Sequence, residues 1–387
     1  MPSCLAPAKV GLSHCHGLPA EAPDLKILVQ VGNLPGVNID HHIRPLSQLP
    51  IVTDISVVCR NPGPAISKVQ YHCPPRIIAR FAPIAIVWEF FTLLRLSLLA
   101  KPRCILGYLL FPHGLMAFVV AKVTGRRAIP SLIAGPVELY GGGTVRGIQF
   151  TRRLPRLGVA LLKMLKHSAA VITIGSFTKA FLVGQGVEEA RVYPVIGPPI
   201  PSRLRPMQSR KVYDVVSVGR LVPVKHVEVL LRATSVVKRS RSDVRVCIVG
   251  DGPCKTELLE LAHELGLDDN VDFVGFQQDV VYYYSSSRVF ALTSEREGLP
   301  IVFLEAIALG IPSVVTNCGD ITDIARDGFN CLVIQRYDDY EGFAVAINRL
   351  LEDEQLSRKL SVNALEAAKG LSLQRTAKQW EEMLGNL

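Results

Sequence analysis

Two glutamates separated by seven residues stand out in Ser294-Glu295-Arg296-Glu297-Gly298-Leu299-Pro300-Ile301-Val302-Phe303-Leu304-Glu305-Ala306. Glu297 precedes a Gly298-Leu299-Pro300 turn and Glu305 falls inside the apolar helix that this turn opens. The spacing therefore places one carboxylate on a loop and the other two helical turns deeper, a site for a polar ligand. Pro300 suits the first helical turn because it has no amide hydrogen to lose, and the free amides there favour an anion such as a diphosphate. Upstream, Ser217-Val218-Gly219-Arg220-Leu221-Val222-Pro223-Val224-Lys225 closes a β-branched run. Gly219 lets the backbone come close to a ligand, and Arg220 and Lys225 place two cations a short loop apart, as an anionic leaving group requires. Taken alone, that loop reads equally as a turn with solvated charges. Gly250-Asp251-Gly252-Pro253 permits close approach to a ligand or tight packing. Phe276, in Val274-Gly275-Phe276, is placed to meet a nucleobase or simply to pack.

These residues need strands to hold them. Strand-like runs at Leu25 to Val31, Ile55 to Cys59, Cys104 to Leu110, Ala128 to Ala134 and Ala170 to Ile174 alternate with helical stretches, and Ser176 is placed to cap a helix. A Pro-rich connection, Pro194 to Pro206, follows. A second series then begins, with strands at Val212 to Val218, Val244 to Val249, Val271 to Val274, Val289 to Leu292, Pro312 to Thr316 and Cys331 to Ile334, helices at Val227 to Lys238 and Cys254 to Leu265, and a helical tail from Asp338. Such alternation predicts an α/β protein with two Rossmann-like, doubly wound domains facing a central cleft, ligands binding at the carboxyl ends of the strands. The expected division is a disordered tail over 1–24, a first domain over 25–205, a second over 206–370, and a final helix over 371–387 able to cross back to the first.

With 387 residues and 49% hydrophobic content, the chain can build two cores and is too apolar for disorder. Nine scattered cysteines without a CxxC pair read as reduced thiols of a cytoplasmic protein, with neither a disulfide framework nor a zinc knuckle. No secretory signal is visible in the first 25 residues. His14, His16, His41 and His42 fit no common metal spacing and read as a tail and a polar loop. Phe81 to Ala100 is apolar enough to propose a membrane span, but Glu89 and Arg95 would each cost about 2.5 to 3.5 kcal/mol at a bilayer centre, which predicts a mostly buried helix instead. Residues 1–210 hold 24 Lys and Arg against 8 Asp and Glu (+16), and residues 211–387 hold 19 against 26 (−7). The densest basic stretch, Arg152, Arg153, Arg156, Lys163 and Lys166 among leucines, reads as an amphipathic helix for an anionic membrane surface, or as a solvated basic face over core leucines. No recognition motif accompanies the charge, so nucleic acid is not an expected partner.

Arg220 with Lys225, Gly250-Asp251-Gly252-Pro253, Val274-Gly275-Phe276, Glu297-x7-Glu305 and Gly319 to Val333 occur in the order and spacing that resembles the retaining GT-B glycosyltransferases of family 4, most clearly over residues 212–335. The resemblance implies a nucleotide diphosphate sugar as donor, with Arg220 and Lys225 holding the diphosphate, Glu305 the ribose and Glu297 the transferred sugar. Gly298, Leu299 and Pro300 would meet sugar and phosphate. The absence of an Asp-x-Asp triplet agrees with that fold's metal-independent habit, so no cofactor is expected. Catalysis would rest on Glu297, Arg220 and Lys225. On the acceptor side many relatives carry a histidine where this chain reads Ala134-Gly135-Pro136-Val137-Glu138. Glu138 or His113 would take its place, and Gly32 and Gly36 would form the first loop. The implied role is transfer to a lipid-linked glycan during polysaccharide or glycolipid assembly, peripherally on the inner face of the membrane. Two other readings of the same residues are a sugar-nucleotide 2-epimerase, which would alter the donor without an acceptor, and a catalytically silent binding subunit.

Overall fold

A computed structural model of the chain describes residues 24–34, 36–140, 154–195, 204 and 209–387. The first domain is a seven-stranded sheet of β1 (Leu25–Gly32), β2 (Val52–Cys59), β3 (Val69–His72), β4 (Cys104–Tyr108), β5 (Arg127–Leu132), β6 (Val171–Thr173) and β7 (Val192–Pro194), in the order β3-β2-β1-β4-β5-β6-β7. Its helices are α1 (Gly36–Ser47), α2 (Arg76–Ala79), α3 (Ala82–Ala100), α4 (Leu115–Thr124), α5 (Val137–Tyr140), α6 (Pro155–Lys166) and α7 (Ser176–Gly184). The second domain is a six-stranded sheet of β8 (Tyr213–Val218), β9 (Val246–Val249), β10 (Val271–Gly275), β11 (Ser287–Leu292), β12 (Ser313–Thr316) and β13 (Leu332–Ile334), in the order β10-β9-β8-β11-β12-β13. It carries α8 (Val227–Lys238), α9 (Lys255–Glu264), α10 (Val281–Ser285), α11 (Ile301–Ala308), α12 (Tyr340–Glu352) and α13 (Glu354–Lys369), and α14 (Leu373–Gly385) ends the chain.

The described pairings between named strands are all parallel. Both sheets reverse their winding beside the first strand, at β1/β4 and at β8/β11, and a crevice opens at the carboxyl ends of the strands there. The central strands are buried on both faces over most of their length, which is why they are rich in Val, Ile and Leu and do not alternate strictly between apolar and polar residues. Ala377, Trp380, Met383 and Leu384 of α14 join the core of the first domain, so the last helix packs beside α1 rather than on the second domain.

Several expectations need correction. Helix α3 is not mostly buried: Ala85, Glu89, Leu93, Leu96 and Ser97 face the sheet, while Phe81, Ile84, Val87, Phe91, Leu98 and Leu99 are exposed. A helix with apolar residues on every side carries little internal signal of which side meets protein, so composition alone suggested that most of it is buried. His41 and His42 lie in α1, not in a polar loop; His41 is buried, and burial pushes His42 down to about 3. Ser176 does not cap α7; Gly175 precedes the helix, and the Ser176 hydroxyl donates to Asp323 of the second domain. In α6, Leu161, Met164 and Leu165 are buried in the domain core, while Lys163, Lys166 and Val159 are exposed. Arg152, Arg153, the 1–23 tail, Pro35 and most of the expected linker lie outside the described residues.

Candidate active site

The second-domain wall of the cleft grows from two adjacent strand ends. After β8 the chain turns through Gly219 and Arg220 into a short helical turn at Pro223–Lys225, where His226 takes a left-handed conformation before α8 begins. The loop after β11 is stitched onto that turn: the Glu295 amide donates to Val224 O at 3.0 Å, and the Thr293 hydroxyl to Lys225 O at 2.8 Å. Behind it, a Cβ on Gly250 would meet Gly219 O at 1.8 Å and one on Gly252 would meet Leu221 O at 2.2 Å. Both glycines therefore act by letting the β9 loop pack against the Gly219 turn. Neither lines the cavity in front.

Lys225 Nζ pairs with Glu297 Oε1, and both side chains are largely shielded from solvent. They sit on a cavity of about 440 Å³ that Gly219, Arg220, Gly298, Leu299 and Pro300 also line from the second domain. Seven of the residues singled out in the sequence thus share one hollow. Glu305 lies deeper on α11, outside that lining, and accepts a hydrogen bond from the Tyr284 hydroxyl at 3.2 Å. Tyr284 is fully buried and gave no sequence signal. Phe276 is exposed and stands apart from the cavity.

The first domain closes the other side with Asn38, Ile133, Ala134 and Val137, none of which the sequence reading picked out for contact. Approach between the domains is tight, since a Cβ on Gly298 would meet Ile133 O at 2.5 Å. Two aspartates of the second domain cap α7 across the gap. Asp323 accepts the Ser176 amide at 2.6 Å, Asp320 accepts the Thr178 amide at 2.9 Å, and the two hydroxyls donate to the same carboxylates. Carboxylates at a helix N-terminus satisfy free amides and the positive helix end.

Glu138 does not point into the cleft. Its carboxylate accepts the amides of Leu110 and Ala134, each at 2.7 Å, and so ties the loop after β4 to the loop after β5. Burial pushes it up to about 7, against the pull of those amides. Glu138→Gln turns an NH2 group toward one of these donors and is expected to destabilise the protein by about 1–3 kcal/mol. Because the native carboxyl keeps its proton between about 4.5 and about 7 while the unfolded one has lost it, the wild type loses stability as pH rises through that window. Urea melts at pH 4.5 and 7.5 should therefore show the gap between wild type and variant narrowing at the higher pH.

His113 also serves structure. Its ring covers Gly32, where a Cβ would come within 2.0 Å of Nε2 and the backbone is left-handed at φ +57°. The Gln30 side-chain amide donates to Glu89 at 2.9 Å and lies 3.2 Å from His113 Nδ1. Burial and then the Arg60 charge lower His113 to about 4, so it is neutral at ordinary pH. Gly36 opens α1, two residues before Asn38.

Residues 207–367 match the family described as Glycosyl transferases group 1. The amylovoran biosynthesis glycosyltransferase AmsD of Erwinia amylovora is 32% identical over 178 residues, 46% of this chain and 49% of that protein. The lipopolysaccharide core biosynthesis glycosyltransferase LpsE of Rhizobium meliloti is 33% identical over 156 residues, 40% of this chain and 44% of that one. The chain spans about half the length of these relatives. Among solved structures, Anabaena Alr3699/HepE in complex with UDP and glucose superposes with a TM-score of 0.73 at 18% identity, over 94% of this chain and 100% of that one. Sucrose-phosphate synthase from Thermosynechococcus elongatus gives 0.73 at 17%, over 93% and 98%. The two-domain architecture is that of the GT-B fold, as the sequence resemblance implied.

Proposed function

We propose that the chain is a retaining glycosyltransferase that moves a sugar from a nucleoside diphosphate sugar to a lipid-linked glycan at the cytoplasmic face of a membrane, without a metal ion. The observation that carries this reading is the Lys225–Glu297 pair with Arg220 around one cavity at the β8/β11 switch point. Two cations there would hold the diphosphate and offset the charge that grows on it as the bond to the sugar breaks. The acceptor oxygen would bond to the same sugar carbon on the face the diphosphate leaves, its proton passing to a phosphate oxygen, which needs no separate base. Glu138 spends both carboxylate oxygens on backbone amides away from the cavity lining, which agrees with a route that needs no separate base. Glu297, paired with Lys225, would turn to the hydroxyls of the transferred sugar. A donor of the uridine class is favoured because HepE, of similar fold, was solved with UDP-glucose.

The test is a thermal-shift screen against UDP, GDP and ADP and their sugars, followed by turnover with the best donor. A ligand that binds only the native state at 100 times its Kd stabilises it by about 2.7 kcal/mol, which is readily seen as a higher melting temperature. One nucleotide class should respond and the response should collapse in Lys225→Ala. No response to any of them, or the same response in the variant, would remove the donor assignment.

A further inference from the structure

The outer surface of the first domain carries an apolar patch that the cleft does not use. Along α3, Ile84, Val87, Phe91 and Leu98 recur every three, four or seven residues on the side away from the sheet. Ile77 of α2 is 78% exposed, Leu99 of α3 73% and Val123 of α4 73%. These three helices are packed side by side, α2 against α3 and α3 against α4, with α6 beside α4. Single exposed apolar residues are ordinary, but a contiguous stripe over a helix about 28 Å long is a contact surface.

Charge says what it contacts. Between Cys73 and Arg127 the chain has eight Arg and Lys and one acid, Glu89, and that acid is fully buried against Gln30 and Arg60. The exposed ring of the patch therefore holds Arg76, Arg80, Arg95, Lys101 and Lys122 without an exposed carboxylate of its own. Lys163 and Lys166 of α6, the helix beside α4, are exposed as well. Apolar side chains rimmed by cations of one sign match the boundary between acyl chains and anionic headgroups.

Helix α3 is long and apolar enough to cross a bilayer, with a mean hydropathy of 1.6. Its sheet-facing side argues against crossing, because Leu93 and Leu96 pack over β1 and β2 and Glu89 is hydrogen-bonded into β1. A span would strip that layer from the domain and carry Glu89 into hydrocarbon.

We propose that α2, α3 and the exposed edge of α4 dock this protein onto an anionic phospholipid leaflet, with α3 lying in the plane of the interface. The first domain is then seated on the membrane through α3, and Glu89 links the seated helix to Gln30 and His113 under the Gly32 loop. The inference deepens the lipid-linked acceptor reading, but its test uses no sugar nucleotide, so failure of docking and failure of transfer are read separately.

The chain has two tryptophans, Trp88 on α3 and Trp380 in the first-domain core, which makes Trp88 a reporter of the patch. The full-length protein is floated with vesicles of equal parts phosphatidylcholine and phosphatidylglycerol, with pure phosphatidylcholine as control, and Trp88 is quenched by lipids brominated at graded depths. Expected are binding to the anionic vesicles and strongest quenching by the shallow bromines. Partitioning should fall by at least about tenfold in Ile84→Gln/Phe91→Gln/Leu99→Gln and in Arg76→Glu/Arg80→Glu/Lys101→Glu, with melting temperatures unchanged, since all six side chains are exposed. Three results would overturn the proposal. They are anionic-vesicle binding that is absent or indifferent to both variants, strongest quenching at the bilayer centre, and a solution dimer of the wild type that the glutamine variant dissociates, which would assign the patch to a second copy.

Discussion

Lys225→Ala is expected to lower sugar transfer by about 10²–10³-fold, the range found when one preorganised donor to a developing negative charge is removed. Lys225 is well placed for such a loss because little around it can move. Its amide is fixed to Val222 O at 3.0 Å, its carbonyl receives the Thr293 hydroxyl, and its ammonium is held by Glu297. Removing the lysine does two things at once: it withdraws a cation from the diphosphate and leaves the Glu297 carboxylate facing that diphosphate without its partner. A double-mutant cycle separates the two. Nucleoside diphosphate binding should fall at least about tenfold in Lys225→Ala and partly recover in Lys225→Ala/Glu297→Gln, because the repulsion has gone. Turnover should not recover, since Glu297 is needed on the sugar. Transfer by Lys225→Ala within about threefold of wild type would mean that the leaving group is stabilised elsewhere.

The part of this site that was legible in the sequence lies on contiguous segments. Gly219 to Lys225 and Glu297 to Glu305 each follow a strand with a buried apolar end and each bring several functional residues close together in sequence, so strand order and loop chemistry together point to a shared hollow. What was not legible arrives through tertiary placement. Asn38, Ile133, Ala134 and Val137 are ordinary residues on three different elements, and nothing in their types reveals that the cleft closes on them. Tyr284 reads as one of three consecutive tyrosines, and only its burial against Glu305 distinguishes it. Short edge strands were lost for a related reason. Val69–His72 pairs on one side only and reads Val-Gln-Tyr-His, and Val192–Pro194 is three residues long and ends in a proline. Two glycines illustrate how a motif can be legible and its use not. Gly250 and Gly252 announce a close approach, but the partner is the Gly219–Leu221 backbone and not the cavity in front of it.

Loss of the two aspartates that cap α7 is expected to loosen the domain pair and weaken donor binding. Asp320 joins the two halves of the site, because its amide donates to Gly298 O at 2.9 Å while its carboxylate holds Thr178 of the first domain. The packing leaves no slack: a Cβ on Gly175 would lie 2.5 Å from Asp323 Oδ2 and 2.6 Å from Asp320 Oδ1. Burial raises Asp320 above its usual range, with the Thr178 hydroxyl and amide pulling it back down. A hydrogen bond to a charged group contributes about 1.5–3 kcal/mol, so removing even one shifts the balance between closed and open domains roughly 10- to 150-fold toward open. Asp320→Ala/Asp323→Ala should therefore raise the radius of gyration in small-angle scattering and raise the donor KM, with a smaller change in kcat because saturating donor refills the closed form. Gly175→Ala should shift both in the same direction without touching a charged group, which separates loss of closure from loss of charge. Should both variants scatter like the wild type and keep its donor KM, these contacts would be ornaments of a domain arrangement held in place by other packing, such as Gly298 against Ile133 and Ile174 against the second-domain core.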